Sequence, residues 1–207
     1  MAFILIIETA TTICSLSLSY KNILLKNINF YNCYFQHINI LHFFLRKILT
    51  ICNLEFLFLD AIAFNNGPGS YTSLKLGLAT AKGISYALNI PLIYFNFKPA
   101  LKELYNNFFL LIKDKYSQYN ILYFENKIFF NINKYHLFQL IKKNLIKNFF
   151  LYTRYDLYLE LYNILKLNKI KYYFINTKYF INIVYSKYKH NLFLKEKEKL
   201  YIKYNYI

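Results

Sequence analysis

Asn65-Asn66-Gly67-Pro68-Gly69-Ser70-Tyr71-Thr72-Ser73-Leu74-Lys75-Leu76-Gly77-Leu78-Ala79-Thr80-Ala81-Lys82 holds three of the four glycines of this 207-residue chain, and the fourth, Gly83, follows at once. In a sequence dominated by Ile, Lys, Asn, Tyr and Phe, glycine is kept where the backbone needs positive φ or the close approach of another chain segment. An apolar run, Leu57 to Phe64, leads into the stretch and reads as a buried strand. Beyond Gly69, Ser70 or Thr72 is expected to cap a helix running to about Leu88. One face of that helix carries Gly77, Ala81, Ile84 and Leu88, and a neighbouring one Ala79, Gly83 and Ala87. Strand, glycine turn and helix in this order make an α/β unit.

Upstream, Phe3 to Ile7 is an apolar run of strand length that ends in the polar turn Glu8-Thr9-Ala10-Thr11-Thr12. Ile13 to Tyr20 alternates, and Ile23 to Phe30 is expected to return antiparallel after Lys21-Asn22. From Tyr34 to Cys52 the period changes: Ile38, Leu41, Leu45, Ile48 and Cys52 draw one apolar stripe down a helix, widened by His42, Phe44 and Leu49. Downstream, Asn89-Ile90-Pro91 ends the second helix, Leu92 to Phe95 is a short strand, and Lys98 to Asn106 opens a helix with Pro99 in its first turn.

Past residue 107, strands are expected at Phe108 to Lys113, Tyr119 to Phe124, Lys127 to Ile132, Phe149 to Tyr152 and Lys171 to Ile175. Helices are expected at Lys134 to Asn144 and Tyr155 to Leu165. Three strands followed by a helix thus occur at residues 3 to 52 and again at 108 to 144, the order of a duplicated α/β domain. The expected division is an N-terminal lobe, 1–106, and a C-terminal lobe, 107–207.

Composition narrows the class. A hydrophobic content of 57% excludes wholesale disorder. The 23 Tyr and 21 Phe, with no Trp, follow codons rich in A and T, so much of the Lys and Asn usage reports the genome. Residues 1–99 carry 7 Lys and Arg against 3 Asp and Glu, and residues 100–207 carry 19 against 7, giving +4 and +12 of the net +16. A diffuse excess of this kind is solvated surface before it is a nucleic-acid track. Three cysteines at 14, 33 and 52 form no CxxC pair, which fits reduced thiols in a cytoplasmic protein. The first eight residues lack the basic start of a signal peptide, and no apolar run reaches the ~18 residues of a membrane span.

Little in the chain points to chemistry of its own. An ATPase built on such lobes needs two glycine-bearing turns against the phosphates and an aspartate in the first turn for the metal. Here the first turn offers Glu8 and Ala10 in place of that aspartate, with Glu8 and Thr9 the candidates for a cofactor contact, and no glycine follows Gly83. His37 and His42 lack the i, i+4 spacing of a helical metal pair, while His136 and His190 stand alone. The G-x-S-x-G spacing of a nucleophile elbow is absent around Ser70. No catalytic residue and no metal ligand is assigned.

Taken together, Ile7-Glu8-Thr9-Ala10-Thr11, Leu59-Asp60-Ala61-Ile62-Ala63, Gly67-Pro68-Gly69-Ser70-Tyr71-Thr72, Leu76-Gly77, Ala81-Lys82-Gly83 and Ile90-Pro91-Leu92-Ile93 resemble the bacterial TsaB (YeaZ) family in order and spacing. Gln36-His37, Ile112-Lys113-Asp114 and Leu200-Tyr201-Ile202-Lys203 are weaker echoes. Ser73 stands where the family usually has glycine, and Lys75 where it usually has arginine, a planar fork that an ammonium does not replace. The resemblance implies an actin-like ATPase (ribonuclease H-like) fold of two lobes, each a mixed sheet with flanking helices. It also implies a non-catalytic subunit of the complex that places a threonylcarbamoyl group on N6 of the adenosine beside the anticodon, in tRNAs reading codons that start with A. The implied partners are a catalytic threonylcarbamoyltransferase paralogue and a small ATPase, with tRNA contacted indirectly, no membrane, and a homodimer where the paralogue is missing. No cofactor of its own is implied, though a nucleotide at the joint with the paralogue is.

On this reading the chain docks through its first two helices, with His37, Leu41, Phe44, Leu45, Ile48, Gly67, Gly69, Ser70, Leu74, Gly77 and Ala81 at the contact. Phe43, Phe44 and Ile51 lie outside the main apolar stripe, and the small faces of the second helix permit close approach. Two rivals are kept. One is an enzyme of the same superfold, a nucleotide phosphotransferase or a peptidase; the other is a tRNA-binding module that uses the basic second half.

Overall fold

A computed structural model describes residues 2–10, 13–31, 37–67, 71–96, 109–113, 119–124, 127–132, 148–152, 171–174 and 176–195, with 139 and 162 besides. The expected helices at 98–106, 134–144 and 155–165 lie outside these residues, apart from the single positions 139 and 162.

The opening strands form where the sequence places them: β1 Phe3–Glu8, β2 Cys14–Tyr20 and β3 Ile23–Phe30, an antiparallel meander. α1 spans His37–Ile51, β4 Ala61–Asn65, α2 Tyr71–Leu88 and β5 Leu92–Phe95. β4 pairs parallel with β1 and β5 parallel with β4, giving the sheet order β3-β2-β1-β4-β5. A second sheet contains β6 Phe109–Lys113, β7 Tyr119–Phe124, β8 Lys127–Ile132, β9 Asn148–Tyr152 and β10 Lys171–Phe174. Its order is β10-β9-β6-β7-β8, with β6-β7-β8 antiparallel and β6-β9-β10 parallel. Strand for strand, this is the first sheet repeated, as the duplicated order of elements leads one to expect.

Chain contacts divide the protein into residues 1–100 with 176–207, and residues 101–175. The first cut lies close to the expected boundary after Asn106. The second was not foreseen, because the segment from Asn176 onward belongs to the first unit. There Thr177–Phe180 forms a 3₁₀ turn and α3 spans Ile181–Lys189.

The core of the first unit is the sheet itself. Ile4, Leu5, Ile6 and Ile7 on β1 and Ala61 to Phe64 on β4 are all fully buried, as expected for central strands covered on both faces. α1 lies against β2 and β3, α2 against β1, β4 and β5, and the two helices touch each other. Opposite them, Thr177 receives the serines of β2. Its hydroxyl oxygen lies 2.8 Å from Ser15 Oγ and 2.7 Å from Ser17 Oγ, and Asn27 Nδ2 donates to it at 3.0 Å. Leu16 and Leu18, which alternate with Ser15, Ser17 and Ser19, are buried too, so β2 is lined with leucine on one side and a polar network on the other. Phe180 stacks on Phe95 with ring centroids 4.7 Å apart, and Lys187 Nζ donates to the Tyr94 carbonyl at 2.7 Å, which fixes α3 to β5.

One strand begins later than expected. The strand expected over Leu57 to Phe64 starts at Ala61, because Phe56–Phe58 is a 3₁₀ turn with Leu57 79% exposed. Asp60 makes the join: its carboxylate accepts the Phe3 N–H at 2.7 Å and its own N–H donates to the Phe3 carbonyl at 2.8 Å. Helix ends follow a second pattern. Asn53 and Asn89 adopt φ of 51° and 53° just past α1 and α2. The following N–H groups, of Leu54 and Ile90, reach back to Leu49 and Ser85 at 3.0 Å each, a Schellman closure with asparagine in the usual glycine position. Among the described residues, no helix is long and apolar enough to cross a membrane.

Candidate functional site

Ligands of open α/β sheets sit at the carboxyl ends of the parallel strands, which here means the ends of β1 and β4. Those ends carry Glu8, Thr9, Asn65, Asn66 and Gly67, every one of them buried. Glu8 Oε1 accepts the Ala10 N–H at 2.7 Å, while Glu8 Oε2 accepts the side-chain amide of Asn65. The other end of that amide, Asn65 Oδ1, accepts the Gly67 N–H at 3.2 Å. Gly67 has φ 110°, beyond the left-handed well that asparagine tolerates, so glycine is required at this point of the turn. The Thr9 hydroxyl donates to the Ser73 carbonyl in the first turn of α2, at 2.8 Å.

Both candidate cofactor residues are therefore spent on the chain's own fold. The Glu8 carboxylate holds two turns together, and Thr9 pins the start of α2 to the end of β1. This arrangement does not fit a metal-bound nucleotide gripped by Glu8 and Thr9, since each would first have to give up a buried hydrogen bond. Among the described residues, no group of three His, Cys, Asp or Glu side chains is placed to hold a metal. Cys14 is buried and Cys52 half-buried, and burial raises the Cys52 thiol above its ordinary pKa, opposed in part by Lys26. His42 is exposed, and His190 Nδ1 lies 2.8 Å from the Ser186 carbonyl of its own helix.

The expected contact residues are placed in two ways. Leu41, Phe44, Leu45 and Ile48 of α1, and Leu74, Gly77 and Ala81 of α2, are buried in the first unit. They hold the helices on the sheet, which corrects their assignment to a contact surface. Gly77 is the tightest point: a Cβ there would stand 2.2 Å from Thr9 Oγ1 and 2.7 Å from Phe64 Cε2. Gly67 is buried in its turn, while the side chain of His37, and Gly69 and Ser70, lie outside the described residues. Thr72 sits inside α2, exposed, and so is not its cap.

What the helices present outward is a different set. On α1 it is His42, Phe43, Arg46, Lys47, Thr50 and Ile51; on α2 it is Tyr71, Thr72, Lys75, Ala79, Lys82, Gly83, Tyr86 and Ala87. Phe43 is 60% exposed and Tyr86 91%. A Cβ at Gly83 would meet nothing within 4 Å, so this glycine is not needed for packing inside the chain. Lys47 Nζ lies over the Phe43 ring at 5.6 Å from its centroid, and Lys75 Nζ over the Tyr71 ring at 4.1 Å. Lys75, the residue that departs from the family's arginine, thus rests on an aromatic face one turn back. The signal for this outward set was in the sequence: Phe43 and Ile51 fall outside the stripe, and Gly83 lies off the line of Gly77 and Ala81.

A family model described as "TsaD: tRNA N6-adenosine threonylcarbamoyltransferase" matches residues 33–97, from just before α1 to just past β5. The tRNA threonylcarbamoyladenosine biosynthesis protein TsaB of Escherichia coli (strain K12) is 31% identical over 90 residues, 44% of this chain and 38% of that protein. The tRNA N6-adenosine threonylcarbamoyltransferase of Campylobacter jejuni is 50% identical over 52 residues, 25% of this chain and 16% of its own length. Among solved structures, a Pseudomonas aeruginosa protein described by its similarity to the peptidase YeaZ matches with a TM-score of 0.51 at 21% identity, covering 63% of each chain. The match thus spans about two fifths of the curated TsaB relative. Over that part the chain is similar to the TsaB (YeaZ) proteins, on a ribonuclease H-like, actin-like fold whose sheet is repeated in the second unit.

Proposed function

We propose that this chain is a non-catalytic scaffold subunit in tRNA threonylcarbamoyladenosine biosynthesis. It docks on the catalytic threonylcarbamoyltransferase paralogue, which, with a small ATPase, modifies N6 of the adenosine beside the anticodon in tRNAs reading codons that start with A. The observation that carries the non-catalytic part is the closure at the strand ends. Glu8 and Thr9, the polar side chains nearest to where this fold does chemistry, are buried and bonded to Ala10, Asn65 and Ser73. On this reading any nucleotide at the joint is gripped by the paralogue, not by Glu8 or Thr9.

Docking uses the outward faces of α1 and α2, which lie side by side on one face of the sheet. Exposed Phe43 and Ile51 supply apolar area, and Ala79 and Gly83 leave room for another helix to approach. The similarity of residues 33–97 to the transferase family itself supports a paired arrangement, since paralogues of one fold readily replace each other across a twofold axis.

The test is a threonylcarbamoylation assay with the paralogue and the small ATPase, run with and without this chain. Modification should require the chain, and should be lost with Phe43→Asp combined with Tyr86→Asp, two exposed positions whose change leaves the fold intact. Leu41→Asp or Phe44→Asp would instead unfold the first unit, since both side chains are buried. Full modification without the chain, or with the double variant, would overturn the reading.

A further inference from the structure

Asn66 is followed by Gly67, and of the 24 asparagines in the chain it is the only one with glycine after it. That pair carries a reaction of its own. The side-chain amide of asparagine is open to attack by the backbone nitrogen of the next residue, and glycine there favours the attack, having no Cβ to block the approach and a backbone free to turn. The Gly67 nitrogen bonds to Asn66 Cγ, the Cγ–Nδ2 bond breaks, and ammonia leaves with the proton that Gly67 gave up. Water then opens the cyclic imide at one of its two carbonyls. The products are an aspartate in the ordinary linkage and a β-linked aspartate, whose main chain runs through the side-chain carbons.

In the folded chain the turn itself holds the reaction off. Attack requires the peptide plane between Asn66 and Gly67 to rotate until its nitrogen faces Asn66 Cγ. That plane is fixed by the Gly67 N–H, which donates to Asn65 Oδ1 at 3.2 Å, and the plane before it by the Asn66 N–H, which donates to the Phe95 carbonyl at 3.0 Å. Asn65 is set in turn by Glu8 Oε2, which accepts its side-chain amide. Both Asn66 and Gly67 are buried, which keeps away the water that opens the imide. We infer that Asn66–Gly67 is a modification site guarded by the Glu8–Asn65–Gly67 chain of hydrogen bonds: it converts in molecules whose turn has opened, and conversion stops the turn from closing again. The β-linked product adds a main-chain atom between β4 and α2, and the ordinary one sets a new carboxylate next to the residue that bonds the Glu8 carboxylate. A molecule opened at this turn is thereby marked in one direction, with water as the co-reactant.

The experiment uses the full chain at about pH 8, folded and in guanidinium chloride, with site-resolved mass spectrometry following the change from amide to acid at every asparagine. In denaturant Asn66 should convert before any other asparagine. In the folded chain it should convert at least about tenfold more slowly, at a rate set by local opening of the turn. Glu8→Gln, which breaks the guard, should speed conversion in the folded chain by about tenfold or more. Ile48→Ala opens a cavity under the C-terminal end of α1, breaks no bond of the guard and costs at least as much stability, yet should leave the rate unchanged; the milder Ile48→Val serves if that variant does not fold. Glu8→Gln combined with Asn65→Asp, which restores a donor facing an acceptor, should be slow again. Circular dichroism confirms that each variant is folded.

Equal rates in folded and unfolded wild type would show that nothing guards the site. If Ile48→Ala speeds the folded chain as much as Glu8→Gln does, conversion follows global unfolding and the hydrogen-bond chain is no guard. Another asparagine converting first in denaturant would remove Asn66 as the modification site. Modified molecules returned from denaturant should stay sensitive to protease while unmodified ones refold, and equal refolding of the two would overturn the one-way mark.

Discussion

Substituting Gly77 by alanine places a methyl group where the chain has no room. The new Cβ would stand 2.2 Å from Thr9 Oγ1, 2.7 Å from Phe64 Cε2 and 3.2 Å from Thr9 Cβ, all on fully buried side chains. Relief requires either Thr9 to leave the Ser73 carbonyl, which it reaches at 2.8 Å, or α2 to lift from β1 and β4. Overpacking of this kind costs about 1–3 kcal/mol. Losing the buried hydrogen bond adds about 1 kcal/mol. Alanine in place of glycine within a helix returns about 1 kcal/mol. The net is a loss of about 1–3 kcal/mol, and at roughly 2–4 °C per kcal/mol for a chain of this size the melting temperature should fall by about 2–12 °C. Gly83→Ala, in the same helix but facing open space, keeps only the favourable part and should gain about 0.5–1 kcal/mol. Urea midpoints of the two variants and wild type, followed by far-ultraviolet circular dichroism, give the comparison with helix propensity held constant. A Gly77→Ala protein as stable as wild type would refute the close contact between α2 and the end of β1.

Three further outcomes follow from other parts of the first unit. Thr177→Val removes the hydroxyl shared by Ser15, Ser17 and Asn27 and should cost about 1–3 kcal/mol; proteolysis within 176–195 should then quicken about tenfold or more, and an unchanged cleavage rate would count against the network as the anchor of that segment. Burial raises the Tyr188 phenol above its ordinary pKa, with the carboxylate of Asp60 and then Tyr185 adding to the effect. The unfolded chain therefore loses this proton first, and stability falls as pH rises beyond about 10; Tyr188→Phe should flatten that part of the decline in urea midpoints, and parallel curves would contradict it. Cys52, with its thiol raised by burial and lowered by Lys26, should alkylate more slowly than a solvent-exposed thiol at pH 8, and Lys26→Gln should slow it further, as read by site-resolved mass spectrometry.

Most of the first sheet and its helices were legible because their residues obey one period at a time. Phe3 to Ile7 is unbroken apolar sequence and β2 alternates, while α1 repeats at three and four. The repeat of the sheet order was visible in the succession of strands, although the second set has no glycine to mark its turns. Where the reading failed, a local signal was ambiguous. Leu57 and Phe58 look like strand and lie exposed in a 3₁₀ turn, because Asp60 and not their own side chains fixes the start of β4. α3 went unseen because Ile181, Ile183 and Val184 are β-branched, poor helix formers, and the burial of Ile181 and Val184 depends on a sheet far back in the sequence. The contact residues on α1 and α2 were misassigned for a related reason: an apolar stripe says that a helix buries one face, and not whether its own sheet or another protein covers it.

The two glycines that matter most share a logic with the asparagines around them. Positions 53, 89 and 191 have positive φ near 50°, and asparagine fills all three. Glycine is kept at 67, where φ is 110°, and at 77, where a side chain has no space. The turn held by Gly67 depends in turn on Glu8, and this can be tested by exchanging donor and acceptor. Glu8→Gln alone turns one carboxylate oxygen into an amide N–H₂, which must face either the Ala10 N–H or the Asn65 amide, and should cost about 1–3 kcal/mol. Asn65→Asp alone sets two carboxylates against each other in a buried site and should cost more. Together the changes restore these three contacts: the new amide at position 8 accepts from Ala10 through its oxygen, its N–H₂ donates to the new carboxylate at position 65, and the other oxygen of that carboxylate accepts from Gly67. The double variant should therefore recover most of the lost stability, with a coupling of about 2 kcal/mol or more in a double-mutant cycle. A catalytic Glu8 predicts the reverse pattern, in which Glu8→Gln leaves the fold intact and the double variant gains nothing in stability. Additive losses in the cycle would refute the structural role of the Glu8–Asn65 pair.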